Sequence, residues 1–234
     1  LFFGGIHPKY NKEMSTGVTD FRVVIPARVV IPMVQHIGAP CTPLVQVGDR
    51  VLRGQKIGDG EGLCVPVHAS VSGTVKAIEP RPHVKGMEVR AVVIENDRKY
   101  ESVTMPIPEN DDGILHAIRE AGIVGMGGAA FPTAFKLSSG RGKVDTLVVN
   151  GAECEPYLNG DHLTMLDHPK ELLKGISLAA KAAGVEDRVG SIALGKDADI
   201  VVYNGHPFQY MTKTEAVFVN GKQIDARTVE SRLR

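Results

Sequence analysis

VQVGDRVLRGQKIG at residues 45–58 and PVHASVSGTVKAIE at residues 66–79 share one plan. Each is a short run rich in valine or isoleucine, a turn at glycine, and a second short run. Gly48-Asp49 and Gly54-Gln55 stand where a tight turn needs a positive φ, which glycine adopts without steric penalty. The runs between the turns are the length of strands and carry β-branched residues, so each half is expected to fold as strand, turn, strand. The same texture extends over residues 25–105, cut by Gly-Asp, Gly-Gln and proline.

Two such halves in succession resemble the biotinyl/lipoyl-like sandwich, in which the halves fold over each other. Carriers of that fold present a lysine on the hairpin between the halves. The stretch from Ile57 to Thr74 contains none, so the segment reads as a compact sandwich used for docking. Cys64 and His68 lie four residues apart, but a zinc site needs three or four ligands. No second pair is nearby in the sequence, and no metal site is assigned. Cys64 is expected in the core and His68 on a turn.

Working outward, residues 1–24 are turn-rich and read as an arm. Residues 106–184 change period. DDGILHAIREAGI at 111–123 has the pattern of a helix capped by Asp111 or Asp112 and ending near Gly122. GIVGMGGAAFPTAFKL follows at 122–137. Thr146 to Val149 is short, apolar and β-branched, as a buried parallel strand would be. HPKELLKGISLAAKAAG at 168–184 reads as another helix, and from Val185 onward short strands return. The expected fold class is therefore α+β and multi-part. Its segments are an arm (1–24), a barrel-sandwich domain without a carrier lysine (25–105), part of an α/β domain (106–184) and a β tail (185–234).

The glycine stretch carries the chemistry. Bare backbone lets N–H groups approach a ligand closely and converge on an anion. Pro132 can open a short helix over TAFKL, whose N-terminus favours phosphate, and Lys136 can supply a counter-charge. The stretch is neither a Walker A loop nor a GxGxxG that follows a strand. The second loop, VVNGAECEPY at 148–157, follows the expected strand, where α/β sheets bind ligands. Asn150 offers donors and an acceptor, and Glu153 and Glu155 add two acceptors, a set suited to a flavin or a nucleotide. Asp161 and His162 are expected to cap the helix that follows.

Bulk properties narrow the choice. With 27 basic and 27 acidic side chains and no Trp, the chain lacks the basic excess and the stacking aromatics of nucleic-acid binders. The three cysteines, Cys41, Cys64 and Cys154, are scattered and odd in number, which argues against a disulfide framework. They are also too few for an all-cysteine iron–sulfur cluster. No apolar run is long enough to suggest a membrane span.

GGIHPKYNKE, IPMVQHIGAPCTPLVQVGDRVLRGQKIG, PVHASVSGTV, GIVGMGGAAFPTAFKL and NGAECEPYLNGDH together resemble the C subunit of the Rnf ion-translocating electron-transport complex, over residues 2 to about 184. The GMGGAAFPT and NGAECEP loops also resemble the flavin subunit of respiratory complex I. The resemblance implies a flavoprotein that oxidises NADH with FMN and passes electrons to iron–sulfur clusters. It would be peripheral, on the cytoplasmic side of the cell membrane, with other subunits of the complex as partners. Carried over by position, Gly125, Gly127, Gly128, Ala129, Phe131 and Lys136 would line the FMN phosphate and ribityl side. Asn150 would contact the flavin, and Glu153 and Glu155 would face the flavin or the nicotinamide. Ala152 replaces an acidic residue of the complex I relative. No catalytic acid or base is implied. The family's 4Fe-4S cysteine motifs are absent from this chain.

The tail differs. GSIALGKDADIVV at 190–202 and AVFVNGKQI at 216–224 resemble the terminal strands of amidohydrolases of the imidazolonepropionase type, without that family's barrel or metal-ligand motif. Two further readings follow: a non-catalytic docking piece built on the sandwich, and, ranked last, an amidohydrolase fragment.

Overall fold

The computed structural model describes residues 9–15, 24–126, 128–149, 151 and 155–188, together with the strand backbones at 200–203, 214–219 and 222–224. The chain divides into two compact units, one of residues 19–141 and one joining residues 1–18 to residues 142–234.

The first unit is built on two small antiparallel sheets. One has the order β1 (Arg28–Pro32), β7 (Glu88–Asn96), β6 (Gly73–Pro82), β3 (Arg50–Val51). The other has the order β2 (Thr42–Pro43), β4 (Lys56–Asp59), β5 (Val67–His68). The turns fall where the sequence places them: Gly48 has φ 99° and Gly54 has φ 82°. β6 and β7 form a long hairpin whose register shifts between Val75 and Ala77, and such a bulge adds local twist. The inward side chains form one core of Ile31, Met33, Val45, Val51, Ile57, Val67, Val71, Val75, Val92 and Ile94, with Cys41 and Cys64 among them. Each such aliphatic side chain contributes about 1.5–3 kcal/mol by leaving water.

Two helices complete this unit. α1 (Asp111–Glu120) is capped by Asn110, whose side chain accepts from the Gly113 N–H at 2.7 Å. The cap thus lies one residue before Asp111, because Asn110 keeps the extended backbone that an N-cap requires (ψ 154°). The two aspartates instead occupy the first turn, where the helix dipole favours them. α2 (Thr133–Gly140) starts directly after Pro132. Arg141 at its end pairs with Asp111 at 3.5 Å and with Asp112.

In the second unit, Asn159 rather than Asp161 or His162 precedes α3 (Gly160–Asp167). α4 (Pro169–Ala183) has proline in its first turn and closes at Gly184, φ 71°. The Val185 N–H reaches back to the Ala180 carbonyl at 3.0 Å, a Schellman closure. β8 (Ile200–Tyr203), β9 (Thr214–Val219) and β10 (Lys222–Ile224) pair antiparallel in the order β10, β9, β8. The expected buried strand at 146–149 is not formed. The segment is irregular and Val148 is 82% exposed. A parallel strand needs a ladder partner for its N–H and C=O groups, and no described residue runs beside it.

The sandwich core is expected to tolerate cavities poorly. Ile57 is fully buried, and Ile57→Ala should cost about 2–5 kcal/mol in urea unfolding, with the m-value unchanged. A loss below about 1 kcal/mol would mean that the site collapses freely.

Candidate functional site: a glycine hairpin docked on the sandwich

The glycine stretch folds as a tight hairpin. The Gly125 N–H donates to the Phe131 carbonyl at 2.9 Å, and the Thr133 N–H donates to the Ile123 carbonyl at 3.0 Å. Val124 bridges to Pro132 between these two bonds. Met126 and Gly128 to Ala130 form an open tip, and Met126 is 88% exposed. Among the described residues, the N–H groups of Gly128, Ala129 and Ala130 make no hydrogen bond. A Cβ built on Gly128 would meet no atom within 4 Å. Ala130 has φ 52°, a conformation alanine rarely adopts. One bond ties the tip down: the Ile37 N–H donates to the Ala129 carbonyl at 3.1 Å.

The hairpin is positioned by α1, and α1 is held to the sandwich by charge and by close contact. Arg119 grips Asp59 of β4 with two bonds, 2.8 Å and 3.3 Å, and also reaches the Gly60 carbonyl at 3.2 Å. Lys56 bonds Asp59 at 3.0 Å and pairs with Glu120, which in turn pairs with Arg119. All four side chains are partly buried. Burial acts to raise the Asp59 pKa, but the hydrogen bonds from Arg119, the Gly60 N–H and Lys56 outweigh it. They hold the carboxyl at about 2. Where α1 ends, Gly122 (φ 67°) lies against β5, and a Cβ there would stand 2.4 Å from the Pro66 carbonyl oxygen.

The structure sorts the expected site residues. Gly128 and Ala129 lie at the open tip, Phe131 is partly exposed at its base, and Lys136 is exposed in the first turn of α2. No described residue pairs with the Lys136 ammonium. Gly125 belongs to the hairpin ladder, so its N–H is committed within the chain rather than free for an anion. Glu155 is exposed in the second unit. Gly127, Asn150 and Glu153 lie outside the described residues.

One cluster was not visible in the sequence. Cys64 does not pair with His68. Its sulfur lies 3.4 Å from that of Cys41 and 3.8 Å from His36 Nε2, with all three residues buried. His68 instead packs against Gly122, and burial pushes its pKa below the ordinary value. The three residues come from two loops, 5 and 23 residues apart along the chain, and that spacing matches no familiar ligand motif.

Two known families match in succession. The RnfC barrel sandwich hybrid domain matches residues 1–99, and the Nuo51 FMN-binding domain matches residues 118–204. Over both segments the chain resembles the RnfC family. It is 44% identical over 227 residues to the C subunit of the Na(+)-translocating ferredoxin:NAD(+) oxidoreductase complex of Acetobacterium woodii, covering 88% of this chain and 51% of that protein. It is 40% identical over 191 residues to the C subunit of the ion-translocating oxidoreductase complex of Klebsiella pneumoniae, and 41% over 185 residues to that of Vibrio cholerae. Each of these two alignments covers 76% of this chain, and 25% and 24% of the relatives. The chain thus spans about half the length of the first relative and about a quarter of the others. The second family match runs past Gly184 into the segment whose pattern resembles amidohydrolase strands.

The docking network has a definite pH signature. A carboxyl depressed in the folded state stabilises fully above its unfolded pKa of about 4 and loses that contribution as pH falls toward about 2. Asp59→Asn should cost about 1–3 kcal/mol at neutral pH. It should also flatten the loss of thermal stability between about pH 5 and pH 2.5. An acid slope identical to that of the unaltered chain would place the titrating group elsewhere.

Proposed function

We propose that this chain is the sandwich and part of the flavin-binding region of an NADH-oxidising subunit in a membrane-bound, ion-translocating electron-transport complex. The observation that carries this reading is the open tip of the glycine hairpin, which lies within the segment matching an FMN-binding domain family. The residues present fit a flavin phosphate. Three adjacent N–H groups find no partner among the described residues, the space over Gly128 is clear, and a helix N-terminus and an exposed lysine follow within eight residues of it.

FMN, when bound, supplies hydride acceptance and stepwise electron release. The chain's own residues would bind and orient. The N–H groups of Gly128, Ala129 and Ala130 would hold phosphate oxygens, and Lys136 would balance their charge. Phe131 would cover the ribityl side. Gly125 would contribute a close backbone approach, and Gly127 is assigned to the same phosphate and ribityl side by the resemblance. Asn150, Glu153 and Glu155 would meet the ring system and the nicotinamide. No side chain is assigned an acid or base role, since hydride transfer between two cofactors needs none from the protein.

Electrons would leave to iron–sulfur clusters held outside this chain, whose cysteines are too few to ligate one alone. The partners would be other subunits of the complex, as the names of the relatives indicate for those proteins. No helix among the described residues is long and apolar enough to cross a membrane. A peripheral position on the cytoplasmic side is part of the proposal.

The exposure of Val148 and Val149 favours a second reading, in which the chain docks a partner without holding flavin. A spectrum separates the two. The purified chain, incubated with FMN and desalted, should stay yellow and bleach on anaerobic addition of NADH. A colourless chain would support the docking role. Gly128→Leu tests the site itself. The added side chain meets open space in the free chain, so stability should hold within about 0.5 kcal/mol. FMN affinity should fall at least about tenfold. Equal affinity would remove the tip from the phosphate site.

A further inference from the structure

The buried cluster in the sandwich has the form of a metal site. His36 and Cys41 come from the loop between β1 and β2, and Cys64 comes from the loop between β4 and β5. The two loops are pressed together. The Ala39 N–H donates to the Leu63 carbonyl at 3.0 Å, and a Cβ on Gly38 would stand 2.0 Å from the same oxygen. The three donor atoms are therefore brought together by the backbone.

Their spacing is that of coordination. The Cys41 and Cys64 sulfurs are 3.4 Å apart, and His36 Nε2 lies 4.0 Å and 3.8 Å from them. A tetrahedral zinc ion with Zn–S near 2.3 Å and Zn–N near 2.0 Å would set edges of about 3.8 Å and 3.5 Å. A fourth lone pair faces the same point. The Val65 carbonyl oxygen lies 3.2 Å from the Cys41 sulfur, 3.2 Å from His36 Nε2 and 3.8 Å from the Cys64 sulfur. The imidazole is also set for the task. Nδ1 lies 3.0 Å from the Ile37 carbonyl oxygen and Nε2 lies 3.2 Å from that of Val65; with the proton on Nδ1 the first contact is a hydrogen bond and the Nε2 lone pair is left for a metal. The Val65 N–H, 3.3 Å from Nε2, points to the same tautomer. A carbonyl that orients a ligating histidine in this way is the usual outer support of a zinc site.

We propose that the sandwich binds one zinc ion through His36 Nε2, Cys41 Sγ and Cys64 Sγ, with the Val65 carbonyl at the fourth corner. On binding, each thiol releases its proton to solvent and two S–Zn bonds form, with one N–Zn bond. The ion's two positive charges meet two thiolates, so the buried site is neutral overall, and the core holds no uncompensated charge. Two thiolates and an imidazole suit zinc rather than magnesium or calcium. The site would fix the 36–41 loop, and Ile37 of that loop is the residue that holds the glycine tip through Ala129. The swinging carriers that this sandwich resembles expose a lysine on the hairpin between the halves. Here the same hairpin turns a cysteine inward.

The test is metal analysis of the chain purified under reducing conditions without a histidine tag or chelator. About one zinc per chain is expected. Cys41→Ser, Cys64→Ser and His36→Gln should each lower it at least about tenfold after dialysis. Should those variants fail to fold, cobalt added to the metal-free unaltered chain gives an independent reading. Thiolate charge-transfer bands and intense tetrahedral d–d absorption are expected, and zinc should abolish them. A chain that isolates without metal and takes up neither ion would overturn the proposal. A Cys41–Cys64 disulfide in the freshly isolated chain would do the same, as would stoichiometric iron or copper in place of zinc. Undiminished zinc in Cys64→Ser would overturn it as well.

Discussion

Helix α1 can rest on the sandwich only because Gly122 has no side chain and because Arg119 finds Asp59. The first is a matter of space: a Cβ at Gly122 would stand 2.4 Å from the Pro66 carbonyl oxygen. The second is a two-bond guanidinium–carboxylate contact supported by Lys56 and Glu120. Paired donors of this kind fix orientation as well as distance. The glycine hairpin begins where α1 ends, so its position follows from these two contacts. The Ile37–Ala129 bond then ties the tip to a loop of the sandwich. A β sandwich with no carrier lysine thereby becomes the platform on which the glycine hairpin stands.

Much of this was legible in the residues. Gly48 and Gly54 mark turns because only glycine takes their positive φ cheaply, and both turns are where the sequence puts them. Pro169 and Gly184 bracket α4 for similarly local reasons. Local chemistry misled where tertiary partners decide. Thr146–Val149 has the composition of a buried strand, yet a strand exists only with a ladder beside it, and the segment is irregular and largely exposed. The glycines of the tip looked equivalent in the sequence. Hydrogen bonding separates them, committing the Gly125 N–H to Phe131 and leaving that of Gly128 without a partner among the described residues. The His36–Cys41–Cys64 cluster is not legible in the sequence because its members meet only when two loops close on each other.

In the proposed site the labour is divided. The sandwich carries the hairpin, the hairpin offers N–H groups without a partner among the described residues, and α2 adds a favourable dipole and Lys136. Such preorganised donors bind an anion without first giving up bonds of their own. The match to an FMN-binding domain family, over residues 118–204, covers this same hairpin and α2.

Amide hydrogen exchange with and without FMN tests the central claim most directly, because it reads the tip residue by residue. The account expects added FMN to slow exchange at Gly128, Ala129, Ala130 and the first turn of α2, while the β6–β7 hairpin stays unchanged. Protection confined to other segments, with the tip exchanging as fast as in the free chain, would contradict it.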